Sequence, residues 1–231
     1  MPTNDSRLLR AELLSFDADP GDDDTPAPGS VVHHPDGALW LENGRIRAVG
    51  DYATLAPDLP PGLEVIDHRG KLITPGFIDS HVHYVQLEIM ASYGRQLLDW
   101  LNDYTFPEEQ QFASREHADA LSEAFLDEML RVGTTTAQVF CSSHPVSVDA
   151  FFAASQRRGL CMLAGKVLMD RHAPEGLTDD TLGGIHDSER LIGDWHGKGR
   201  LGYSLTPRFA PTSTRAQLDA TGALLRNDSS L

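Results

Sequence analysis

The sequence predicts an α/β protein in which parallel βαβ units follow a small β domain. Two observations carry this reading. Between Ala38 and Gly50, two short apolar stretches flank Asn43-Gly44. An Asn-Gly pair is a strong hairpin signal because both central positions of a type I′ turn need positive φ. From Ile73 onward the pattern changes to short apolar strands separated by longer segments of helical periodicity, as parallel βαβ units require. The change places a domain boundary near Gly70, with a partial β domain over residues 1–70 and the α/β domain over 71–231.

Taken in order, residues 7–16 alternate weakly. Residues 17–30, rich in Asp, Pro and Gly, form an acidic loop that cannot bury enough apolar surface to order itself. Strands are expected at 73–78, 134–140, 160–168 and 201–206. Between the first two, Ala118, Leu121, Phe125, Leu126, Met129 and Leu130 recur at helical spacing, with Ser114 as N-cap and Gly133 beyond the end. A second helix runs from Ser147 to Arg158, closed by Gly159, and a third begins near Ser213. Four strands are visible where a closed barrel needs eight, and a full barrel usually takes about 250 residues. A half barrel leaves two sheet edges and apolar surface open, an aggregation liability.

Composition narrows the partners. With 34 Asp+Glu against 19 Lys+Arg, the net charge of −15 repels phosphate backbones and anionic membranes, so neither nucleic acid nor membrane is expected. Cys141 and Cys161 form no CxxC spacing and read as free thiols. The N-terminus lacks the basic start and apolar stretch of a secretory signal, and no run approaches about 20 apolar residues, which predicts a cytoplasmic protein.

The sharpest chemical feature is Pro75-Gly76-Phe77-Ile78-Asp79-Ser80-His81-Val82-His83. Side chains alternate faces along a strand, so His81 and His83 point the same way and can reach one metal ion. The C-terminal end of a strand is also where barrel enzymes keep their active sites. Alone, an HxH triplet arises often by chance or serves packing. A small β segment followed by PGFID-x-HxH resembles the start of the amidohydrolase superfamily, whose first barrel strand supplies two metal-binding histidines in this way. The other zinc-deaminase chemistry, with HxE and PCxxC motifs on a different fold, has no counterpart here.

The next segments narrow the resemblance to guanine deaminases. Gln86 follows the histidines, residues 97–107 read LLDWLNDYTFP, and Thr206-Pro207-Arg208-Phe209 stands at the fourth strand. The family follows HxH with a glutamine, then an LLxWLxxYTFP segment, and later TPRFxxT. The resemblance runs in order through most of residues 70–218. It implies the first half of an amidohydrolase-type (β/α)8 TIM barrel, preceded by part of a small β-sandwich. It also implies one Zn2+ per active site with His81 and His83 among its ligands, and guanine contacted by Gln86, Arg208 and Phe209. An amide offers a donor and an acceptor to a purine edge, a guanidinium donates, and a ring covers a purine face. Leu97, Leu98 and Leu101 are expected to pack. Lys166 invites comparison with the metal-bridging lysine of binuclear relatives, but the one-metal resemblance leaves it structural. Asp79 either orients a ligand histidine or caps the strand, and His144 takes no assigned role.

The implied reaction is zinc-dependent hydrolysis of guanine to xanthine and ammonia, a step of purine catabolism, in a protein expected to be a homodimer at full length. The family's acid/base glutamate and aspartate and two further histidines are expected beyond Leu231, so none of the catalytic acid/base groups is assigned here. The resemblance therefore implies that these 231 residues alone are incomplete and without turnover. The alternatives are another amidohydrolase acting on a purine, pterin or triazine, or a non-catalytic fragment that needs a missing half.

Overall fold

The computed structural model describes residues 5–94 and 96–227. The N-terminal residues 1–4 of the signal-sequence reading, Arg95 in the guanine-deaminase-like segment and the polar end 228–231 lie outside the described residues. The chain divides into two compact units, Met1–Pro75 and Gly76–Leu231.

The first unit is a four-stranded sheet of β1 (Ser6–Phe16), β2 (Val31–Glu42), β3 (Arg45–Asp51) and β4 (Glu64–Ile73), in the order β3-β2-β1-β4. A short helix, α1 (Tyr52–Leu55), follows β3. The β2–β3 hairpin turns on Asn43 and Gly44, with φ of 51° and 74°, the positive values a type I′ turn demands. Residues 17–30 connect β1 to β2 without helix or strand. The division falls after Pro75, and Gly70 lies within β4 with a φ of 81°.

In the second unit β5 (Phe77–His83), β6 (Thr134–Phe140), β7 (Cys161–Gly165) and β9 (Leu201–Tyr203) form a parallel sheet in that order. Two short strands, β8 (Val167–Leu168) and β10 (Thr206–Pro207), pair in parallel beyond it. Helix α4 (Arg115–Arg131) links β5 to β6, α5 (Pro145–Arg158) links β6 to β7, α6 (Thr181–Trp195) precedes β9, and α7 (Arg215–Asn227) follows β10. Two shorter helices, α2 (Leu97–Trp100) and α3 (Phe106–Gln111), lie between β5 and α4. This is the repeating strand–helix order expected of successive barrel units.

Three expected elements differ. The first strand runs over Phe77–His83 rather than 73–78, because Pro75 has no N–H for the ladder; pairing resumes where Phe77 N–H donates to Gly133 O at 2.9 Å. The expected strands 160–168 and 201–206 each break in two. At the break Gly165 lies against Ser204, whose N–H donates to Ala164 O at 2.8 Å, while Lys166 N–H donates to the Tyr203 hydroxyl at 3.2 Å. A Cβ on Gly165 would sit 1.8 Å from Ser204 O. Gly165→Ala must push the two strands apart, and a loss of about 1–3 kcal/mol is expected by urea unfolding, the usual cost of overpacking. Leu97 and Leu98 are 64% and 65% exposed, so only Leu101 of the three leucines packs. No residue of α2 is fully buried, and Leu101 lies in the segment that follows it.

The core lies between the sheet and α4 and α5. Tyr84, Phe112, Phe125 and Phe151 cluster there, with Tyr84 stacked on Phe151 at 5.1 Å and edge-on to Phe112 at 5.1 Å. The Tyr84 hydroxyl donates to Ser147 O at 2.7 Å, as a buried phenol requires. Because Tyr84 directly follows His83, this anchoring fixes the end of β5.

Candidate active site

The histidine pair sits at the C-terminal end of β5. Pairing between β5 and β6 shifts register between Asp79 and Val82, a bulge of the kind that re-aims side chains beside sites. Both rings nonetheless reach one cavity of about 240 Å³, with centroids 5.3 Å apart. Phe140, ending β6, stacks on His83 at 4.5 Å and tilts against His81 at 4.9 Å. Asp79 accepts from the backbone N–H of His81 at 3.0 Å, so its carboxylate braces the strand end.

Gln86, Arg208 and Phe209 line the same cavity, with Trp100, Leu97 and Leu101 closing a further side. Residues far apart in sequence thus converge: the five positions taken from HxHxxQ and PRF surround one space. The segment Leu101–Thr105, joining α2 to α3, is π-helical, a backbone form that concentrates at functional sites.

Arg208 is held from below. Its side chain is 7% exposed and pairs with the fully buried Glu109, while its guanidinium lies 5.4 Å from the centre of the Phe106 ring. The other Glu109 oxygen accepts from Gln86 Nε2 at 3.2 Å, and that same nitrogen lies 3.2 Å from His83 Nδ1. Glu109 escaped the sequence reading because acidic residues in a first helical turn normally serve the helix end. Its burial was not signalled by any periodicity in so short a helix. Phe140 likewise reads in the sequence only as the end of a strand.

Burial, then Arg208 and His81, push the His83 imidazole down to about 4. It is therefore neutral near pH 7, the form that donates a lone pair to a metal. Two imidazoles on one side of a cavity fit two positions of a tetrahedral zinc site. A separate cluster brings ligand-capable atoms of Glu88, Glu108 and His117 within 4.8 Å of one another. It shares no residue with the cavity, and burial followed by Glu88 raises the Glu108 carboxyl.

Lys166 does not line the cavity. It is fully buried, and its Nζ contacts both oxygens of Asp179 at 2.6 Å, so its role is an internal ion pair. His144 occupies the N-cap position of α5. Burial first, then Lys166, depress its imidazole below the ordinary value. The unfolded chain takes up that proton near pH 6.5 while the folded chain resists it, so stability falls as pH drops through about 6.5. His144→Asn keeps an N-cap residue and should flatten this slope, as read from urea midpoints at about pH 7 and pH 5.5.

The chain belongs to the amidohydrolase family, whose model matches residues 72–227. Within it the similarity is to guanine deaminases. The guanine deaminase of Escherichia coli (strain K12) is 47% identical over 183 residues, which cover 79% of this chain and 42% of that protein. The solved E. coli guanine deaminase superposes with a TM-score of 0.91 at 39% identity, over 96% of this chain and 51% of that one. A guanine deaminase from C. acetobutylicum, solved with bound guanine in the active site, superposes with a TM-score of 0.82 at 26% identity, over 96% and 51%. The chain spans about half the length of the relatives it matches. No helix among the described residues is long and apolar enough to cross a membrane.

Proposed function

We propose that this chain supplies the N-terminal part of the active site of a zinc-dependent guanine deaminase, which hydrolyses guanine to xanthine and ammonia. The observation that supports this most is the convergence of His81, His83, Gln86, Arg208 and Phe209 on one cavity. The similarity to a relative that binds guanine in its active site points the same way.

His81 and His83 would hold the zinc ion. When bound, zinc lowers the pKa of water so that a hydrolytic nucleophile exists near neutral pH. Gln86 and Arg208 then read the polar edge of guanine, and Phe209 covers its ring. The low exposure of Arg208 raises the worth of each hydrogen bond it makes, because water competes poorly there. Trp100, Leu101 and Phe140 keep the purine's surroundings apolar. The acid/base groups that protonate a ring nitrogen and the departing amine are not assigned to residues of this chain.

The test is made on the product of the complete open reading frame, stripped with a chelator and reloaded with zinc. Ammonia release from guanine should disappear on stripping and return with the metal. If guanine stays inert while another azaheterocycle is deaminated, the substrate assignment is wrong.

A further inference from the structure

We propose that Glu109 is a positioning residue that sets the hydrogen-bonding polarity of the purine pocket; this rests on the guanine deaminase reading. Glu109 is fully buried at the base of α3, and one carboxylate spans both polar groups of the pocket: one oxygen takes Arg208 and the other takes the Gln86 amide nitrogen at 3.2 Å. An ionised carboxylate only accepts hydrogen bonds. Its presence therefore fixes which end of the Gln86 amide faces inward. The NH2 group is turned to Glu109, and the carbonyl Oε1 is left for the ligand.

The pocket then offers an acceptor from Gln86 beside the remaining donors of Arg208. A ligand edge that places an N–H donor next to an acceptor atom matches this order, and one with the opposite order does not. Arg208 needs the same carboxylate for a second reason. A guanidinium at 7% exposure without a counter-charge would be costly to bury, so Glu109 both neutralises and aims it. Because Glu109 lines no part of the cavity, it acts through these two side chains.

The experiment compares wild type, Glu109→Gln and Glu109→Asp in the complete, zinc-loaded protein, with and without Arg208→Ala. Glu109→Gln removes the charge and lets the Gln86 amide reverse. KM should rise by about tenfold or more while kcat changes little, since the interaction serves binding more than the chemical step. Glu109→Asp keeps the charge on a shorter arm and should give a smaller rise in KM; it also serves if Glu109→Gln fails to fold. In the Arg208→Ala background, Glu109→Gln should cost much less than it does alone, or restore stability, because the group it aims is gone. A full and additive loss in both backgrounds would overturn the proposal. So would a lowered thermal midpoint with KM unchanged, the mark of a purely structural carboxylate. Wild-type turnover of guanine tests the substrate reading separately. If another azaheterocycle proves to be the substrate, the same KM comparison is made with it and still decides the role of Glu109.

Discussion

Lys166→Ala is expected to destabilise the protein by about 3–5 kcal/mol, the usual cost of removing one partner of a buried ion pair. Lys166 is fully buried and its Nζ meets both Asp179 oxygens at 2.6 Å. Without the ammonium, Asp179 is left as a lone carboxylate with about 15% of its side chain exposed. Burial already pushes that carboxyl above its ordinary value, against the pull of Lys166. A carboxyl with a raised folded pKa holds its proton longer than the unfolded chain does, so its ionisation costs stability as pH rises from the unfolded value through the folded one. The Lys166→Ala defect should therefore be smaller at acid pH than at pH 7. Guanidinium unfolding of both proteins across that range gives the answer, and an equal defect at every pH would mean that the lost interaction is packing rather than charge. Zinc content per chain should not change in variants that still fold, since Lys166 is absent from the cavity lining.

His83→Ala in the complete protein is expected to remove both bound zinc and turnover. The imidazole is one of two in the cavity, it is neutral near pH 7, and its ring packs on Phe140 at 4.5 Å. Unassisted water has a pKa of about 15.7 against about 7 beside zinc, so loss of the ion should cost turnover several orders of magnitude. Metal analysis after dialysis and ammonia release from guanine are the two readings. The fold should survive, because the anchor of this strand end is the next residue, Tyr84, within its buried aromatic cluster. Retention of both zinc and activity would remove His83 from the site.

The fold class was legible because its determinants are local and periodic. The Asn43-Gly44 turn, the Ser114 cap of α4 and the Gly159 end of α5 all stand where the residue chemistry places them. The breaks at Lys166 and after Tyr203 were not legible, since they depend on the approach of Gly165 to Ser204, a contact between distant segments. The site divides in the same way. The spacing of His81 and His83 puts both on one strand face, whereas their metal role and the substrate roles of Gln86, Arg208 and Phe209 come from the family resemblance. Glu109 belongs to neither group. Its function is defined only when the chain brings residue 86 and residue 208 to the same carboxylate.

The central claim is that the cavity at the ends of β5 and β10 reads guanine through Gln86 and Arg208. The most direct test is kcat/KM for guanine in the complete protein beside Gln86→Ala and Arg208→Ala, with metal content and folding verified for each. Each polar contact removed from a buried site should cost about 1–3 kcal/mol, or roughly 5- to 150-fold. Losses in that range, confined to guanine and its close analogues, are the predicted result. Variants within about twofold of wild type, well under the cost of one lost contact, would show that the substrate is read elsewhere.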